Sequence, residues 1–202
     1  MAHRARQLAS LIFRYAIATG RAERDPTADL KGALKTKKVK HHAAITDPAG
    51  VGRLLRDIQH YDGRPVVKAA LELSALLFQR PGEIRQMRWE EIDWRDSRWE
   101  IPAAKMKMDR DHIVPLSRQA IEVLKRVEPI TGRFMCVFPN ERSRTIAMSD
   151  NGIRSALRTL GYTNEQITPH GLRAMARTLL DEELRFRPDW IEQQLAHRVA
   201  DP

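Results

Sequence analysis

The chemistry open to this chain rests on arginine, lysine and histidine. His170, Arg173 and Arg177 follow Thr168-Pro169 at spacings of three and four, which puts them on one face of a helix. His170 falls in the first turn, where unpaired backbone N–H groups favour an anion. A histidine and an arginine projecting together from a helix start can hold a phosphate. The plain alternative is a surface pair without a role. Arg80 stands in Gln79-Arg80-Pro81-Gly82-Glu83, directly after an apolar run. An arginine there lies at a cleft mouth or forms a structural ion pair, and Glu83 is its natural partner. Lys105 and Lys107 are two residues apart, so they share one face of extended chain. Most lysines near a turn only solubilise. His197 closes Gln194-Leu195-Ala196-His197, where a helix C-cap is the ordinary reading. His41-His42 lacks nearby carboxylate and cysteine partners and is no metal site.

Several elements must position these groups. Leu8, Leu11, Ile12, Tyr15 and Ala16 recur at helical spacing, and Gly20 is a stop. A basic stretch follows, with Lys31, Lys35, Lys37, Lys38, Lys40, His41 and His42. It reads as a solvated linker or as a strap along DNA phosphates. Asp47 and Pro48 start the next helix, with Val51, Leu54, Leu55 and Ile58 as its stripe. Val66 to Phe78 is apolar nearly all round, which predicts a buried helix. Trp99 to Leu116 alternates about Asp109-Arg110-Asp111, the pattern of a β-hairpin, with a third strand expected at Cys136 to Phe138. Ser117 and Ser149 are expected caps, and the second of these helices ends at Gly161. A helix from Thr168-Pro169 to about Leu184 and a short one from Pro188 to Leu195 complete an α+β, mainly α, domain.

The 202 residues carry 35 Lys plus Arg against 26 Asp plus Glu, a net charge of +9. That surplus favours a polyanionic partner, nucleic acid first. The single cysteine, Cys136, sits beside Val137 and Phe138 and reads as a core residue. It cannot form an internal disulfide, so a reducing, cytoplasmic setting is expected. No apolar run approaches bilayer length, and no membrane partner is expected. Neither a Walker-type glycine loop nor a paired-cysteine zinc motif is present.

The segments FRYAIATGRAERDPTADLKGAL, RPGEIRQMRW, IPAAKMKMDRDHIVPLS, TPHGLRAMARTLL and IEQQLAH, in that order, resemble the tyrosine recombinases, and within them the integrases of phages and genomic islands. The resemblance covers essentially the whole chain. It implies the last helix of a core-binding domain plus a basic linker over 1–44. Over 45–202 it implies the helical catalytic domain of DNA breaking-rejoining enzymes, with a small antiparallel sheet, truncated before its nucleophile. Arg80 resembles the first active-site arginine, and His170 and Arg173 match the His-x-x-Arg motif. Lys107 resembles the lysine that protonates the leaving oxygen, with Lys105 as the alternative. His197 matches the later histidine, and Glu83 the buttressing acid. Leu77-Phe78-Gln79 departs from the usual Thr-Gly before the first arginine.

The implied activity is site-specific recombination, integrating or excising a prophage or genomic island through a 3′-phosphotyrosine. The partners implied are double-stranded attachment-site DNA, three further protomers in the synaptic complex, and accessory DNA-bending or excision factors. A lone fragment is expected as a monomer. No metal ion or other cofactor is implied, because two guanidiniums supply the charge. The nucleophilic tyrosine is expected shortly beyond His197, and Tyr15, Tyr61 and Tyr162 are not in the matching place. The fragment is therefore expected not to cleave. The alternative is a non-cleaving DNA-binding protein derived from an integrase.

Overall fold

The computed structural model describes residues 2–34, 42–106 and 110–196. Two compact units divide the chain, Met1–His41 and His42–Pro202.

In the first unit, α1 spans Ala2–Ala18. Gly20 adopts a φ of 68° just past its end, where a side chain would be strained. The chain then turns back, and Asp25 accepts hydrogen bonds from Ser10 Oγ (2.6 Å), Thr27 N (2.9 Å) and Thr27 Oγ1 (2.7 Å). These hold a 3-10 turn over Pro26–Leu30. The apolar stripe of α1 is not core: Leu8, Leu11, Ile12 and Tyr15 are all exposed.

The second unit is built around one buried helix. Asp47 caps α2 (Pro48–Gln59) through Gly50 N at 2.6 Å, and Val51, Leu54 and Ile58 turn inward. Leu55, expected in that stripe, faces solvent instead. Helix α3 (Pro65–Leu77) is apolar all round because neighbours cover it all round: it packs against α2, α5 (Arg118–Thr131), α6 (Asn151–Thr159) and α7 (Gly171–Thr178). Leu71, Leu73 and Leu77 are fully buried, each contributing about 1.5–3 kcal/mol by its transfer from water. α3 ends at Phe78, which takes a left-handed φ of 60°. The short α4 (Pro81–Arg85) begins three residues later.

The sheet has three antiparallel strands in the order β1 (Ile92–Asp93), β2 (Arg98–Ile101), β3 (His112–Pro115). Trp99 pairs with both Ile92 and Val114, and Ile101 with His112. The third strand is therefore β1, not Cys136 to Phe138. Cys136 makes only an isolated bridge with Arg88, while Val137 and Phe138 fill the core. The period-two signal there was burial without a ladder. After β2 the chain is not extended either, because Ala103–Lys105 forms a 3-10 turn.

Ser117 caps α5 as expected, accepting from Ala120 N at 3.2 Å. Ser149 does not cap α6, whose N-cap is Asp150 without a side-chain bond. Gly161, at φ 89°, follows the end of α6. Helix α7 starts after His170 and passes into one π-helical turn over Leu179–Glu183, and α8 (Pro188–Gln194) follows.

Candidate active site

Four elements meet where the ends of α3 and α8 converge on α4 and α7. Helix α7 is amphipathic, and Leu172, Met175 and Ala176 anchor it in the core. Arg173 is carried to the rim of that core and is itself 8% exposed. Its Nη1 donates to the Phe78 carbonyl at 2.6 Å and its Nη2 to the Leu195 carbonyl at 2.6 Å. The left-handed turn at Phe78 thus swings a carbonyl of the α3 terminus toward the arginine. Burial, and next the charge of Arg80, pull Arg173 down to about 10, against Glu83 and Glu192. It remains a guanidinium at neutral pH, so the site holds two like charges side by side.

Arg80 is fixed by Glu83. The carboxylate accepts the Arg80 backbone N–H at 2.8 Å and Nη1 at 2.6 Å. One side chain therefore closes the first turn of α4 and orients the guanidinium. The Arg80 Nη2 donates to the Ala196 carbonyl at 3.2 Å. Gln79, 2% exposed, donates from Nε2 to the carbonyls of Gln194 (2.7 Å) and Leu77 (3.1 Å). Three successive carbonyls at the end of α8, those of Gln194, Leu195 and Ala196, are thus taken by Gln79, Arg173 and Arg80. The negative end of a helix suits such donors.

His170 is the N-cap of α7 and stacks on His42, with ring centroids 4.7 Å apart and planes 21° apart. Partial burial of the ring holds His170 below its ordinary range, although the residue keeps solvent access. His42, Arg173 and Arg80 push the same way and Glu83 opposes. The segment after His42 lies against the start of α7. Thr168 N donates to the Ala43 carbonyl at 3.1 Å, and any Cβ on Gly171 would overlap that same oxygen. Glycine is required at 171 for this close approach.

The structure thus brings Arg80, Glu83, His170 and Arg173 together. Lys107 and His197 lie outside the described residues. Arg177, on the same helical face as Arg173 by spacing, instead pairs with Glu192, Nε to Oε1 at 2.9 Å. Lys105 is turned away into an ion pair with Glu91 and a hydrogen bond to the Gln86 carbonyl at 2.8 Å. Among the described residues, no cluster of three or more histidine, cysteine or carboxylate side chains is spaced to hold a metal ion. Tyr61 is buried in the core, and the Tyr162 hydroxyl donates to Asp57 at 2.5 Å and is pushed up to about 12 by burial and that carboxylate.

Gln79 and His112 escape the sequence reading as site residues, and His42 enters it only as part of the basic linker or strap. The two-residue period that turns Val114 and Leu116 inward also turns His112 inward. Burial holds His112 below its ordinary range, with the Gln194 backbone and Glu83 opposing and Arg80 and Arg173 assisting. Its Nε2 is buried with no hydrogen-bond partner among the described residues. Gln79 and His42 carried no periodic signal.

Comparison with known proteins adds a second line. Residues 50–200 match the phage integrase family and residues 1–33 the phage integrase central domain. The integrase of Enterobacteria phage P4 is 38% identical over 210 residues, covering 98% of this chain and 48% of that protein. Prophage integrase IntZ of Escherichia coli K12 is 39% identical over 189 residues, covering 92% of this chain and 45% of its own length. The chain spans about half the length of the curated relatives it matches. A lambda integrase tetramer bound to a Holliday junction shares the fold at a TM-score of 0.68 and 19% identity, over 96% of this chain and 57% of that one.

Proposed function

The chain belongs to the phage integrase family, and from that premise we propose that it is the phosphate-gripping, catalytic portion of a tyrosine-type site-specific recombinase that acts on attachment-site DNA. Residues 1–44 then belong to the core-binding domain and linker, and 45–202 to the catalytic domain. The observation that carries the reading is the convergence of Arg80 and Arg173 on one spot, with Glu83 behind them.

The mechanism follows from charge. Attack on a DNA phosphodiester raises the negative charge on its non-bridging oxygens. Two forked, permanently charged guanidiniums held in place before the reaction stabilise that state without reorganising. The leaving 5′-oxygen needs a proton, and Lys107 is the general acid in this scheme. Lys105 is less suited, because Glu91 and the Gln86 carbonyl already hold its ammonium. His170, kept neutral by its surroundings, accepts the tyrosine proton or braces the phosphate. His197 supports the phosphate from the segment after α8. The energy of the broken bond stays in the protein–DNA link, so no nucleotide hydrolysis is needed. The nucleophile is a tyrosine beyond His197, and the three tyrosines present have other roles or positions. In this reading the working assembly is four protomers on two DNA sites, with accessory DNA-bending or excision factors; the lambda integrase that shares the fold is a tetramer bound to a Holliday junction.

This chain should bind duplex DNA weakly and form no covalent adduct. Binding should weaken with salt at a log–log slope of about −0.9 per phosphate contacted. A salt-independent affinity would refute the phosphate grip, and an adduct surviving denaturation would refute the assignment of the nucleophile. In a version extended through the tyrosine, Arg173→Ala should slow cleavage by about 10²- to 10³-fold. Unchanged cleavage would show the site misplaced. A stop codon directly after Pro202 would support the second reading, a non-cleaving DNA-binding protein, because none of Tyr15, Tyr61 and Tyr162 is in the matching place.

A further inference from the structure

We propose that His42 is a positioning residue for His170, its ring fixing the orientation in which the His170 imidazole meets the DNA phosphate. The proposal rests on the recombinase reading of the site, and it assigns a role to a residue that neither the motifs nor the arginine geometry requires.

The geometry is specific. The two rings lie face to face, 4.7 Å between centroids and 21° between planes. His170 makes no side-chain cap hydrogen bond to α7, so capping does not select its rotamer. The stack restricts it. The backbone around His42 is not loose in turn. Ala43 accepts the Thr168 N–H and presses on Gly171 without room for a Cβ, so the segment that carries His42 is registered against the start of α7 at two points. Thr168 Oγ1 then accepts the Gly171 N–H at 3.0 Å, closing the turn that presents His170.

The stack also has an electrostatic consequence. Among the described residues, the titratable and charged groups facing His170 are His42 from the segment before α2, Arg173 on α7, and Arg80 and Glu83 on α4. Two stacked imidazoles resist being charged together. Next to two arginines, the His42 ring therefore favours the neutral His170 that a proton acceptor requires. The sign is defined: removing the His42 imidazole moves the His170 titration upward.

The test uses this chain with its histidine rings followed by NMR, in three forms: native, His42→Phe and His42→Ala. His42→Phe keeps a stacking ring and loses the second imidazole, and His42→Ala loses both. The His170 titration should rise in both variants, further in His42→Ala. Duplex affinity at low salt should stay within about twofold in His42→Phe and fall about threefold in His42→Ala, the worth of one ordinary hydrogen bond. A merely structural His42 would change the melting temperature and leave the His170 titration in place, and that result overturns the proposal. Equal affinity in all three forms does so as well. If the titration moves but added duplex leaves the His170 resonances of the native chain unchanged, the phosphate site itself is refuted, and the positioning role falls with it.

Discussion

Two carboxylates in this domain are placed alike and used differently. Glu83 and Glu91 each stand at the third position of a short helical turn. Each reaches back to accept an N-cap backbone N–H, from Arg80 at 2.8 Å and from Arg88 at 3.1 Å. Each is almost wholly buried, and each holds a cation with its other oxygen, Arg80 in one case and Lys105 in the other. A guanidinium has five donors in a rigid plane, so Arg80 can be held by Glu83 and still present an edge. An ammonium is a compact point charge. Between Glu91 and the Gln86 carbonyl, the Lys105 ammonium is paired where it stands. The same local device thus yields an oriented arginine at the start of α4 and a structural lysine in the turn after β2.

The largest expected effect that separates the two sides lies in the lysines. On the recombinase reading, Lys107→Ala in a cleavage-competent protein should cost about 10²- to 10⁴-fold in cleavage rate, while Lys105→Ala should leave the rate per folded molecule nearly unchanged. The reverse ranking in a suicide-substrate assay would exchange their roles. Next is Glu91→Gln, which strands the Lys105 charge and removes the charged partner of Trp99 Nε1, now 3.1 Å from Oε2. It should destabilise the fold by about 3 kcal/mol, read as a shift in urea midpoint, with salt-dependent DNA binding retained. Glu83→Gln should do the opposite, weakening DNA binding more than stability.

A smaller effect is a pH dependence just below neutrality from the histidines on the Arg80 side. His112 and His170 are both held below their ordinary 6.5. Below that pH the unfolded chain takes up protons that the folded chain resists, so stability falls as pH drops through 6.5 and is fully present above it. His112→Gln should flatten part of this slope in urea titrations at successive pH values, and an unaltered slope would place His112 outside the cluster. The smallest effect concerns Phe78. At its left-handed φ, Phe78→Gly should be more stable than Phe78→Ala by about 1 kcal/mol, the order opposite to strain-free extended chain. Equal melting temperatures for the two would remove the strained turn from the account of how Arg173 is oriented.

Much of this was legible in the sequence, for identifiable reasons. Asp47-Pro48 and Ser117 are local signals, since a cap needs only its own next few residues. The apolar run of α3 announced a buried helix because burial on all sides leaves no polar face. Arg80 with Glu83, and His170 with Arg173, are pairs at helical spacing and could be read as such. What failed depended on distant partners. Val137 and Phe138 are buried by neighbours rather than paired in a strand, and no local pattern distinguishes the two. Lys105 was set beside Lys107 by a strand period, but the chain forms a 3-10 turn there and Glu91, fourteen residues earlier, captures it. Gln79 meets Gln194 across 115 residues, a contact with no periodicity to betray it.

The three carbonyls that end α8 have a dynamic consequence. A seven-residue helix has little tendency to persist by itself, and its end would ordinarily fray first. Here fraying must release Gln79, Arg80 and Arg173 together, so the end of α8 opens only when the paired-arginine cluster comes apart. In hydrogen exchange, the amides of Leu195 and Ala196, bonded to Ile191 and Gln193, should exchange with the slow kinetics of the buried α3 terminus rather than with those of a chain end.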